Sequence, residues 1–86
     1  MLRKRAKFFK ALGDETRLCI VRHLLQKEKC ACEFTQMTRK DQTTVSRHLK
    51  ILVEAGILKY VKRGKYIIYG IKDNSIRKLL ITIGLK

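Results

Sequence analysis

The fold of this chain rests on the stretch QTTVSRHLKILVEA, residues Gln42–Ala55. Its inward apolar positions recur at the three- and four-residue spacing of a helix with one buried face: Val45, Leu49 and Leu52. Asp41 precedes the stretch and has a side-chain oxygen that can accept the unpaired N–H groups of a first helical turn. Gly56 follows it and is typical of a helix end. The sequence therefore predicts a helix from Gln42 to Ala55.

The opposite face of this helix is polar and suits contact with DNA. Gln pairs with adenine, Arg pairs with guanine, and Ser or Thr can bind base edges or phosphate. A helix N-terminus also attracts phosphate. An ordinary solvated helix face is the alternative interpretation. The predicted DNA-binding residues of the helix are Gln42, Thr43, Thr44, Ser46, Arg47, His48 and Lys50.

Three shorter helical segments precede this one. Lys4–Leu12 carries Phe8 and Phe9 and ends near Gly13. Asp14 is the expected cap of a second helix. The inward side of that helix holds Arg17, Ile20, Val21, Leu24 and Leu25.

Arg17 needs a partner on that inward side, and the Asp14 carboxylate is the candidate. A third helix is predicted over Cys32–Thr38, with Phe34 and Met37 inward, before the turn Arg39-Lys40-Asp41.

Strand patterns follow Gly56. Ile57–Lys62 and Tyr66–Ile71 are rich in β-formers, and the basic link Arg63-Gly64-Lys65 indicates a hairpin. Asn74 or Ser75 is the expected cap of a last helix. That helix carries Ile76, Leu79, Leu80 and Ile83.

The predicted fold is mainly α with a β-hairpin, in the order α-α-α-α-β-β-α, and forms a single domain over residues 1–86. Two helices joined by a short turn and followed by a basic hairpin describe a winged helix-turn-helix. The hairpin tip should contact the DNA backbone or a minor groove through Lys62, Arg63, Lys65 and Tyr66. A charged edge strand that resists aggregation is the alternative.

The charge balance points to a polyanionic partner. The 86 residues include 21 Lys and Arg against 7 Asp and Glu, a formal net charge of +14. Double-stranded DNA is the first candidate and an anionic membrane is the second. The alternative is that the charge reflects a generally basic or thermophilic surface.

The sequence has no long apolar run, and no apolar stretch follows its basic N-terminus. These features predict a cytoplasmic protein without a membrane partner. A chain this short buries a small hydrophobic core by itself, so we expect it to bury more apolar surface by forming a dimer.

The residues do not favour an enzyme or an RNA-binding module. Ser46 and His48 are two apart on a helix and diverge, so they form no nucleophile–base pair. No Gly-rich phosphate loop is visible. The aromatic residues form no clear platform for stacking bases.

Cys30 and Cys32 are the candidate metal ligands. They cannot share an ion on one ideal helix, but they converge if Cys30 precedes the helix and Cys32 lies in its first turn. The helix N-terminus favours the Cys32 thiolate. Soft thiolates suit As(III), Sb(III), Zn, Cd or Cu(I), and none of these ions is needed for folding.

Two other roles for this pair stay open. The thiols could sense oxidants or persulfide. They could also be small buried side chains without a ligand, in a constitutive DNA-binding or architectural protein that senses nothing. Cys19 and His23, four apart on one helix, are candidate further ligands across a dimer or an unrelated pair at the surface.

The sequence resembles the ArsR/SmtB family of metal-responsive bacterial and archaeal repressors over Phe8–Tyr69. Four segments carry the resemblance: Ala11–Leu18, Thr43–Leu52, Glu54–Leu58 and the thiol-bearing Lys29–Glu33. The resemblance implies a homodimer formed by the first and last helices and a repressor that metal binding releases from DNA. The arsenic-sensing type of the family has a third Cys where this chain has Thr35. The family's other common metal site uses Asp and His residues on the last helix, and the last helix of this chain has no histidine.

Overall fold

Five helices and three strands follow one another in residues 1–85, the part of the chain that this computed structural model describes. They are α1 (Leu2–Leu12), α2 (Glu15–Gln26), β1 (Lys29–Cys30), α3 (Ala31–Thr38), α4 (Gln42–Glu54), β2 (Leu58–Arg63), β3 (Tyr66–Ile71) and α5 (Asn74–Thr82). The predicted winged helix-turn-helix with a β-hairpin is confirmed, with β1 as an additional strand. No helix within residues 1–85 is long and apolar enough to cross a membrane.

Aspartate side chains begin three of the helices. Asp14 accepts the backbone N–H of Arg17 at 3.1 Å, and Asp41 accepts that of Thr44 at 3.2 Å, as predicted. The prediction that Asn74 or Ser75 caps the last helix is wrong. Asp73 is the cap, because its carboxylate accepts the N–H of Ile76 at 2.9 Å and Asn74 is already helical.

The sheet has the order β1-β3-β2, and its neighbouring strands are antiparallel. The predicted hairpin pairs Leu58 with Ile71 and Arg63 with Tyr66, so its loop is Gly64-Lys65. Gly64 has a φ of 60°, a conformation that favours glycine. The strand β1, which the sequence did not predict, pairs Lys29 with Tyr69 and Cys30 with Ile68. Two residues are too few to show an alternating pattern.

The core lies where α4 meets α2, α3 and the base of the hairpin. Its fully buried members include Ile20, Leu24, Phe34, Val45, Leu49, Leu52, Ile57 and Leu80. The predicted inward face of α4 is confirmed. Met37 was wrongly placed inside, since Phe34 is the buried residue of the short α3 and Met37 is exposed.

On α5, only Leu80 is buried within the protomer, whereas Leu79 and Ile83 are exposed. Of the apolar residues predicted for the last helix, these two therefore lie outside the core of the protomer. A five-helix domain of this size covers only one stripe of its last helix.

The burial of α4 gives a matched test of the core. Leu49→Ala should lower the free energy of unfolding by about 2–5 kcal/mol, because it opens a cavity at a buried site. Ile51→Ala, on the same helix but 39% exposed, should lower it by about 1 kcal/mol or less. Denaturant unfolding followed by circular dichroism measures both. Equal losses would contradict the assigned inward face.

Candidate nucleic-acid interface

The outward face of α4 forms an open concave surface. Five exposed side chains line it: Gln42, Thr43, Ser46, Arg47 and Lys50. Asp41 holds the first turn through Thr44, and hydrogen bonds from the Thr44 hydroxyl and N–H lower the pKa of the Asp41 carboxyl. Thr44 itself is half-buried. The α4 backbone therefore presents short polar side chains and two cations to one side.

His48 is the predicted DNA contact that the structure places elsewhere. Its side chain is only 16% exposed, and its Nδ1 lies 3.1 Å from Arg17 Nη1 and 4.0 Å from Asp14 Oδ2. These contacts show that the side chain points towards the start of α2. His48 is also next in sequence to the buried Leu49. His48 is therefore not part of the concave surface.

The guanidinium of Arg17 binds the end of α1 and not the Asp14 carboxylate. Arg17 Nε donates to the Ala11 carbonyl at 2.6 Å, and Nη2 donates to the Lys10 carbonyl at 3.4 Å. The expected side-chain pair with Asp14 is thus wrong, because the Asp14 oxygens are used as the helix cap.

Asp14 nevertheless stays ionised more readily than usual. Its slight burial opposes ionisation, but the hydrogen bond from the Arg17 N–H and the charges of Arg17 and His48 outweigh that effect and lower its pKa. A carboxyl with a lowered pKa contributes stability above its unfolded pKa and loses it as pH falls through the folded value. A negative charge is therefore present beside His48 at neutral pH.

The hairpin tip extends into solvent beside α4. Lys62, Arg63, Lys65 and Tyr66 are all exposed, and Lys65 Nζ lies 6.0 Å from the centroid of the Tyr66 ring. None of these cations has a carboxylate partner within residues 1–85. Their charges remain available to an anion.

The thiol pair lies at a junction of strand, helix and turn. Cys30 pairs with Ile68 of the hairpin and is also the N-cap of α3, where its Sγ accepts the N–H of Cys32 at 3.2 Å. Glu33 accepts the N–H of Cys30 at 3.0 Å and completes a capping box. Cys32 thus lies in the first helical turn. The two sulfur atoms converge as predicted and are joined in a disulfide.

A cleft connects this thiol pair to the predicted DNA contacts. It is lined by both cysteines and Thr35 from one side, by Gln42 and Ser46 of α4 from another, and by Lys65 and Tyr66 of the hairpin from the third. The sequence could not show this neighbourhood, because it depends on β1 pairing with β3. The cleft brings the thiols and the two predicted DNA-contacting elements to one place.

A third protein ligand for a metal is missing from the described part of one protomer. The Thr35 hydroxyl donates to the Cys32 carbonyl at 2.9 Å. No group of three or more His, Cys, Asp or Glu side chains within residues 1–85 is arranged to hold an ion. Cys19 Sγ and His23 Nδ1 lie 3.7 Å apart on α2, and the same Nδ1 lies 2.9 Å from the Cys19 carbonyl oxygen. When it is reduced, the Cys30–Cys32 pair therefore offers two soft ligands.

Known proteins agree with this architecture. The arsR family of bacterial regulatory proteins matches this chain over residues 14–60. The chain belongs to that family of winged helix-turn-helix transcriptional regulators. It is 40% identical to a helix-turn-helix transcriptional regulator of Methanocaldococcus jannaschii over 78 residues, which are 90% of this chain and 88% of that protein. It is 37% identical to the arsenical resistance operon repressor of Bacillus subtilis over 81 residues, 93% of this chain and 77% of the repressor.

A solved structure shows the same fold. The homodimeric winged helix-turn-helix DNA-binding domain from Mycobacterium bovis, determined by NMR, superposes with a TM-score of 0.90 at 27% identity. The match covers 95% of this chain and 76% of that one. The two relatives from M. jannaschii and B. subtilis are transcriptional regulators.

Proposed function

We propose that this chain is a transcriptional repressor that inserts α4 into the major groove of its operator. The concave polar face of α4 carries the proposal, because exposed Gln and Arg side chains project from a helix whose other face is anchored in the core. Arg can bind guanine through two hydrogen bonds, and Gln can bind adenine in the same way. Arg47 and Gln42 are the proposed base-reading residues.

The exposed cations of the hairpin would bind phosphate. They lie on a projecting two-stranded element, and the excess of 14 positive charges favours binding along the sugar-phosphate backbone. Phosphate contacts orient a protein on the duplex without reading its sequence. The hairpin therefore acts as a wing that positions α4.

Arg47 and Lys65 should respond differently to substitution. Arg47→Ala should weaken binding to a duplex that the protein selects from a random-sequence pool by about 1–3 kcal/mol, and binding to an unselected duplex much less. Lys65→Ala should weaken binding to both duplexes and reduce the slope of log K against log salt by about one. Fluorescence anisotropy over a salt series measures these quantities. Equal loss on both duplexes for Arg47→Ala would make Arg47 a phosphate contact.

We also propose a homodimer formed through α1 and α5. Apolar side chains on these helices remain outside the protomer core, with Phe9 59% exposed and Leu79 41% exposed. They border one groove together with Phe8, Ala55 and Ile76. A second copy would bury this groove, as the homodimeric state of the M. bovis domain suggests. Two copies of α4 would then meet a two-fold symmetric operator.

Two substitutions on α5 test this interface. Leu79→Glu should convert the dimer to a monomer in sedimentation experiments, because it places a charge in the shared groove. Ile81→Glu is the matched control, since Ile81 is equally exposed at 44% but lies about 200° away around the helix. Retention of the dimer by Leu79→Glu, or its loss in Ile81→Glu alone, would contradict this assignment.

We infer that the thiol pair controls DNA binding. An ion held by Cys30 and Cys32 would lie in the cleft that α4 and the wing also line, so it would compete for space with a DNA backbone and alter the α3–α4 contact. Two convergent sulfurs fit a thiophilic ion such as As(III), Sb(III), Cd or Zn. Solvent, a small ligand or the partner protomer would supply the remaining coordination.

A thiol-redox function is the second candidate. The convergence of the Cys30 and Cys32 sulfur atoms at the cap of α3 supports this candidate, because adjacent thiols can form a disulfide. An oxidant or persulfide would then replace the metal ion as the signal. The same residues would respond in either case.

Arsenite and an oxidant should separate these candidates. For the reduced protein, saturating arsenite should weaken binding to the selected duplex by about 5–150-fold, the usual range for coupled sites. Cys30→Ser and Cys32→Ser should abolish the response, whereas Cys19→Ser should retain it. A response to diamide alone would favour redox control. Unchanged affinity with arsenite, Cd, Zn and diamide would contradict control by the thiols.

A further inference from the structure

The Arg17 guanidinium connects the end of α1 to the middle of α4. It donates to the carbonyls of Lys10 and Ala11, the last turn of α1, and its Nη1 lies 3.1 Å from His48 Nδ1 on α4. Ala11 and Lys10 lie 6 and 7 residues before Arg17 in the chain, and His48 lies 31 residues after it. One side chain of α2 therefore bonds two other helices at once.

The chemistry of this contact fixes the direction of the hydrogen bond. A guanidinium has only donors, so Arg17 Nη1 donates to His48 Nδ1. An apolar side chain at position 48 would remove the acceptor and leave the Nη1 donor without this partner.

We propose that Arg17 and His48 are positioning residues that fix α4 relative to α1 and thereby hold the DNA-reading face in place. This inference rests on the proposed role of α4 in reading DNA. His48 lies between Arg47 and Leu49, so its tie to Arg17 holds the segment of α4 that carries the proposed base contact. Since α1 borders the proposed dimer groove, the same tie links the dimer interface to the DNA-reading helix.

Binding to the selected duplex and to an unselected duplex tests the tie. His48→Asn places an amide oxygen near the position of Nδ1, so it should bind the selected duplex like wild type. His48→Leu removes the acceptor and should bind the selected duplex about tenfold more weakly, with little change on the unselected duplex.

His23→Asn is the matched control, since His23 is the second of the two histidines and bonds within its own helix. It should bind both duplexes like wild type. A tenfold loss in His48→Asn, or wild-type affinity in a folded His48→Leu, would overturn the proposal, and the first outcome decides even where His48→Leu fails to fold. If Arg47→Ala lowers specificity as expected but the His48 variants match wild type, only the positioning role fails. If Arg47→Ala has no effect, the proposed DNA-reading role of α4 is contradicted, and the positioning role that rests on it is contradicted as well.

Discussion

The burial of one face of α4 is the contact on which the remaining structure depends. Val45, Leu49 and Leu52 are almost completely removed from solvent and pack among residues of α2, α3 and β2. Because these three residues anchor the helix, the side chains on its opposite face project from a rigid support. A surface that reads DNA needs such support, since small displacements disturb the geometry of paired hydrogen bonds to bases.

A second constraint acts at Cys30. This residue belongs to β1, caps α3 and carries one of the two thiols, so three features meet at one backbone position. The pairing with Ile68 holds the thiol pair against the wing, and α3 leads directly into the turn before α4. A chemical change at the sulfurs is therefore adjacent to both elements proposed to contact DNA, without a long path through the protein.

The sequence alone predicted the helices, the hairpin and the outward residues of α4, because helical periodicity and Asp caps are local signals. It missed β1, since two residues cannot show a pattern and the pairing with β3 is long-range. It misplaced His48 and the partner of Arg17, because both depend on how α1, α2 and α4 meet. Thr35 donates its hydroxyl to the Cys32 carbonyl, and the metal site at Cys30 and Cys32 stays a prediction. The sequence left open which apolar residues of α5 lie inside the protomer, because periodicity does not distinguish burial within a protomer from burial between protomers.

An NMR titration of ¹⁵N-labelled protein with its selected duplex would show directly which surface binds DNA. If α4 reads the groove and the hairpin binds phosphate, the largest amide shifts should fall in Gln42–Lys50 and Lys62–Tyr66, with small shifts in α5. Large shifts confined to the basic α1, with α4 unchanged, would contradict this arrangement of the DNA-binding surface.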